Sequence, residues 1–178
     1  MQDYDDYINL SGTGEEEDGF PVFNYESVEA LFWGFEAEAT LHIHEALDLL
    51  RHDIDLDVQV DFVRAEDSSN GGDLPRIPPF RTIVGLDYQY KNLFGAGIEG
   101  MFVSSQNDVA EFELPTDSYQ LLNADANLNL PFYEDSNLTF YVRGTNLNDE
   151  EARVHSSFLK DFAPLRGRSV LFGVNGSF

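Results

Sequence analysis

Residues 143–178, RGTNLNDEEARVHSSFLKDFAPLRGRSVLFGVNGSF, end in a stretch whose period decides the fold. Val170, Phe172, Val174, Gly176 and Phe178 put apolar or small side chains on one face of an extended segment. Ser169, Asn175 and Ser177 put polar ones on the other, with Leu171 as the exception. Successive side chains of a strand point to opposite faces, so a ribbon with one oily and one wet face suits a wall between lipid and an aqueous lumen. The fold class this predicts is all-β, an antiparallel transmembrane β-barrel wall.

The same period recurs upstream. Trp33, Phe35, Ala37, Ala39, Leu41 and Ile43 alternate with Gly34, Glu36, Glu38, Thr40, His42 and His44, and Ile54, Leu56, Val58, Val60 and Phe62 alternate with Asp53, Asp55, Asp57, Gln59 and Asp61. Helical spacing fits neither stretch. Further strands are predicted near residues 4–11, 81–91, 96–106, 119–130, 137–145 and 168–178, which makes about eight. Long connections (12–28, 65–80, 107–118, 146–167) alternate with shorter ones (45–52, 92–95, 131–136). Outer-membrane barrels have long outer loops and short periplasmic turns. That pattern places both the first residue and Phe178 at the periplasmic end. No interdomain boundary interrupts 1–178, which is predicted to be a single partial domain.

Composition excludes some functions. Ten basic against 33 acidic residues give a formal charge of −23, which rules against neutralising the phosphates of a nucleic acid. The chain has no cysteine for disulfides or thiolate metal sites. No apolar run of about 18 residues predicts a membrane helix, a test that barrel strands of about 9–11 residues escape. The start, MQDYDDYINL, lacks a basic segment followed by an apolar one, so no secretory signal is expected in it. Tyr88, Tyr90, Phe132, Tyr133, Phe140, Tyr141 and Phe178 fall near predicted strand ends, where aromatic girdles sit, although Tyr141 has lumenal parity.

The stretches FWGFEAEATL, GDLPRIPPFRTIVGLDY, PTDSYQLLNADANLNL and YVRGTNLNDEEARVHSSFLKDFAPLRGRSVLFGVNGSF, in that order, resemble the C-terminal barrel portion of TonB-dependent outer-membrane receptors. The resemblance implies a barrel of roughly 22 strands filled by an N-terminal plug. It also implies energised uptake of a scarce nutrient: siderophore iron, another metal, cobalamin or a glycan. The implied partners are outer-membrane lipid, the plug and remaining strands, the TonB complex and the barrel-assembly machinery. Phe178, with Phe172 and Val174, resembles the signal read by that machinery. The chain is thus expected to be a fragment of such a receptor, located in the cell outer membrane. Closure of eight strands by themselves would crowd Glu36, Glu38, Asp55, Asp57, Asp61, Asp87, Glu99 and Asp125 against only Arg81, Lys91 and Arg143 in a narrow interior.

Site candidates are few. His42 and His44 share a strand face near Glu38 and supply two metal ligands at plausible separation, although a polar lumen wall needs such residues anyway. His155 with Asp149, Glu150 and Glu151 lies in the last predicted outer loop, where it could contact a cationic ligand or metal. Gly95, Gly97 and Gly100 match a dinucleotide-binding spacing but lack its strand-turn-helix setting. Asp53, Asp55 and Asp57 open like a calcium loop, but Val58 and Arg64 stand where glycine and glutamate are required. The Glu15, Glu16, Glu17 and Asp18 run is expected to be a solvated loop tip. Two glycosylation sequons at Asn137 and Asn175 fall in predicted strands. No cofactor is implied, and with no nucleophile or hydrolase motif the protein is not expected to be an enzyme. Two rival readings are a soluble or secreted β-sandwich binding module and a complete small eight-stranded barrel.

Overall fold

The computed structural model describes residues 1–43, 51–133 and 136–177. Eight antiparallel strands run in chain order: β1 (Gln2–Glu17), β2 (Phe20–His42), β3 (His52–Asp67), β4 (Arg81–Tyr90), β5 (Phe94–Val103), β6 (Tyr119–Tyr133), β7 (Ser136–Thr145) and β8 (Ser169–Ser177). Each pairs with its sequence neighbours in one sheet, with β1 and β8 at its edges, so the eight strands do not close on themselves. A single sheet also excludes the two packed sheets of a β-sandwich.

Register keeps the two faces separate from strand to strand. One row across the sheet runs Leu41, Leu56, Leu86, Ile98, Ala124, Gly144, Val170. The row beside it, on the opposite face, runs His42, Asp55, Asp87, Gly97, Asp125, Arg143, Leu171. A slip of one residue in any pairing would mix them. On the apolar face Leu86 is 42% exposed, Ile98 49% and Phe172 76%. A continuous surface of that kind is a liability in water and a necessity against hydrocarbon. Tyr88, Tyr90 and Phe94 cluster at the short-turn end of this face, with the Tyr88 and Phe94 ring centroids 6.2 Å apart and His52 stacked 5.8 Å from Tyr88. Tyr141 lies on the polar face opposite Gly173, as its parity predicts.

The buried core sits at the loop end of the sheet. Val28, Ala30 and Ala65 are covered by Leu74 from the β3–β4 loop, and Val103 and Tyr119 by Ala152 from the β7–β8 loop. The long connections are thus folded onto the rim of the wall.

Two expectations change. Residues 12–28 are not a loop: β1 and β2 continue through them and reverse at Asp18 and Gly19, whose φ values of 53° and 83° suit a tight hairpin. The acidic run made this segment look like a loop, yet Asp-Gly is itself a hairpin signal, and Glu15–Glu17 line the exposed end of β1. The first residues also lie elsewhere. Gln2 pairs with Phe32, which faces Ala65 near the loop end of β3, so the chain enters the sheet high on the wall, not at its short-turn end. Phe178, His44 and part of the predicted 45–52 connection lie outside the described residues.

Candidate ligand-facing site

Period two delivers the carboxylates of β2 to β6 to one face, and cross-strand pairing then ties several of them down. Arg81 Nε donates to Asp61 at 2.8 Å, His42 Nδ1 lies 2.7 Å from Asp55, and Asn123 donates to Glu99 at 2.9 Å. Glycine makes room for others. The Asp87 carboxylate lies over Gly97, where a Cβ would come within 2.7 Å of it. From β2 to β7 this face forms an open groove of about 490 Å³ whose lining includes Glu38, Asp57, Asp87, Glu99 and Asp125, with Arg143 as its basic member. Its field attracts cations and repels anions.

The second assembly joins three loops, 68–80, 104–118 and 146–168. Glu113 is nearly buried at its centre, with a side chain 9% exposed. Lys160 Nζ donates to it at 2.8 Å and the Arg76 backbone N–H at 2.9 Å, while His155 Nε2 lies 3.3 Å away. His155 Nδ1 is 3.0 Å from the Thr116 hydroxyl. Burial pushes the Glu113 carboxyl up, but the hydrogen bonds from His155, Lys160 and Arg76 and the Lys160 charge outweigh it and hold the group at about 2, below its ordinary 4.5. A depressed carboxyl stabilises the folded loops fully above its unfolded value and loses that contribution as pH falls through the folded one. Amide protection in loop 104–118 is therefore expected to hold from pH 7 to about 4.5, to fall progressively below that, and to have lost this contribution as pH reaches about 2. Hydrogen exchange expressed as protection factors checks this, and loss already complete at pH 4.5 would contradict the charge pairing.

Comparison with known proteins now decides the identity of the wall. Residues 1–147 match the family described as TonB dependent receptor-like, beta-barrel. The chain belongs to that family. Its fold is also similar to that of a solved structure described as "Copper transporter OprC", with a TM-score of 0.72 at 20% sequence identity. That match covers 96% of this chain and 26% of the other, so the chain spans about a quarter of that protein's length. As part of a TonB-dependent receptor barrel in an outer membrane, the apolar face meets lipid and the acidic face lines the lumen. The three long loops lie on the outer side, because receptor barrels carry their long loops there.

The structure keeps the sequence candidates apart. His42 lies on the lumenal face at the short-turn end, hydrogen-bonded to Asp55, whereas His155 is in the outer loops. His155 is not on the loop surface, where the sequence places it, but 2% exposed, because the 152–165 segment turns inward on Ala152 and Lys160. Asp149, Glu150 and Glu151 remain at the surface. Asp149 accepts from the Arg168 backbone N–H at 3.0 Å and Glu151 pairs with Arg153 at 2.9 Å. Among the described residues no group of three or more His, Asp or Glu side chains is placed to hold a metal ion. Gly95, Gly97 and Gly100 all lie within β5, and Asn137 and Asn175 within β7 and β8.

Sequence reasoning missed Glu113, Lys160 and Asn146. Asn146, 4% exposed at φ 50°, donates to the Glu150 and Arg166 carbonyls and accepts from the Glu150 N–H at 2.9 Å. It staples the base of the last loop where β7 ends, and asparagine tolerates the left-handed backbone better than alanine does. Asn146→Ala is expected to destabilise this loop by roughly 1–3 kcal/mol and to speed tryptic cleavage at Arg153 and Arg166. Unchanged cleavage would remove the staple. The local signal was Asn146 itself, one of several turn-formers with Gly144, Asn148 and Asp149 in a stretch that resembles the family.

Proposed function

We propose that this chain forms part of the wall and outer loops of a receptor that takes up a scarce nutrient by TonB-energised transport, with no catalytic role. The observation that carries the reading is the two-faced sheet: a lipid-compatible apolar side whose register runs from β2 to β8, and an opposite side lined with carboxylates from β2 to β6. A wall of that kind separates membrane from a passage, and the family supplies the energy coupling. The acidic lining favours a cationic cargo, such as a metal ion or a positively charged chelate, over an anionic one. Copper is one candidate, suggested by the similarity in fold to a copper transporter. Exposed Asp149, Glu150 and Glu151 are proposed outer-loop contacts for such a ligand. The barrel-assembly machinery, read through the C-terminal strand, is a further proposed partner.

The test compares cells with and without the whole receptor for accumulation of copper, zinc and ferric chelates at limiting supply. A protonophore is added in parallel. Receptor-dependent accumulation that the protonophore abolishes supports the reading. Equal accumulation in both strains for every cargo, or uptake indifferent to the protonophore, would remove it.

A further inference from the structure

We infer that the three outer loops 68–80, 104–118 and 146–168 move as one body, latched at the buried side chain of Glu113. The latch goes beyond the transport reading and holds whichever nutrient is carried. It joins all three loops through one carboxylate: Arg76 from the first, Glu113 itself from the second, and Lys160 and His155 from the third. Lys160 is only 4% exposed, so neither partner can turn to water while the loops stay in place.

Independent ties run beside it. Gln106, 1% exposed in the second loop, donates to the Ile77 carbonyl of the first at 3.0 Å and accepts from Arg64 of β3 at 3.0 Å. Arg76 also reaches the Leu10 carbonyl of β1 at 2.9 Å and stacks its guanidinium 4.5 Å from the Phe158 ring of the third loop. Arg153 donates to the Lys160 carbonyl at 2.6 Å, fixing the segment that presents the lysine. Moving the second or third loop alone would strand a buried charge, and moving the first would take the Arg76 N–H from the buried carboxylate and break its ties to Gln106 and Phe158, each more costly than moving the cluster intact. The loops therefore open together or stay closed, and displacement of one by ligand is transmitted to the other two.

The experiment is hydrogen–deuterium exchange on the whole receptor in detergent, unmodified and as Glu113→Gln. The variant keeps the shape and removes the charge. Exchange is expected to rise on the order of tenfold to a hundredfold in all three loops together, while the amides of β4 to β7 stay unchanged and report that the wall is intact. A rise confined to 104–118, or no rise in any loop, overturns the latch. Should Glu113→Gln fail to assemble, the unmodified receptor still decides. The hydrogen-bonded amides of Arg76, Ala110 and Leu165 must then open with the same protection to within about tenfold, and a wider spread overturns the single-body behaviour.

Discussion

In a receptor carrying Leu86→Arg, the yield of folded, heat-modifiable barrel is expected to collapse, while Gln59→Arg leaves it close to that of the unmodified protein. Leu86 lies in the middle of β4, in the apolar row between Leu56 and Ile98, and is 42% exposed to whatever covers that face. An arginine near the bilayer midplane of a barrel costs roughly 2–4 kcal/mol. Folding margins are only about 5–15 kcal/mol, and assembly in the membrane competes with aggregation of unpaired edges. Gln59 pairs with Glu38 and Ile83 on the opposite face, within the acidic groove, where an added guanidinium meets carboxylates and water. The measurement is the fraction of each variant that shifts in mobility on heating after isolation from outer membranes. Equal yields from the two variants would mean that the apolar side does not meet hydrocarbon.

The wall was legible in the sequence because alternation is a local property. Ile54 through Phe62 state their two faces without reference to any partner, and the register that aligns Asp55 with Asp87 follows from matching the faces. The loop assembly was not legible. Glu113 is one of 33 acidic residues, and nothing within a few positions marks it as buried. Its environment comes from Arg76, 37 residues before it, and Lys160, 47 residues after it, brought together only when three loops fold onto the rim. His155 illustrates the same limit. Its acidic neighbours in sequence suggested an exposed ligand contact, yet those side chains face Arg153, Arg168 or water while the imidazole turns toward Thr116. The β1–β2 hairpin is an intermediate case: the Asp18-Gly19 signal was present, and the surrounding charge obscured it.

Gly34 is where the wall is expected to be least forgiving. It sits opposite Val63, between Trp33 and Phe35, whose rings pack 5.4 Å and 5.9 Å from that of Phe62. A Cβ at this position would overlap the Phe62 carbonyl oxygen and stand 3.0 Å from Val63 Cα. Both are backbone atoms, so no rotamer change relieves the clash, and β2 and β3 must separate locally. Trp33–His42 pair with β3 residue by residue, so the clash falls directly on that ladder. Overpacking a site that cannot yield costs about 1–3 kcal/mol and occasionally more, and Gly34→Val is expected at the upper end. Gly34→Ala should be almost as damaging, since the first added carbon already meets backbone. Gly97→Ala provides the contrast, because its added carbon meets the Asp87 carboxylate, a side chain able to move aside. Urea unfolding of the three variants in the same detergent orders them. If Gly34→Ala unfolds no earlier than Gly97→Ala, the close approach of β2 and β3 is not what demands glycine there.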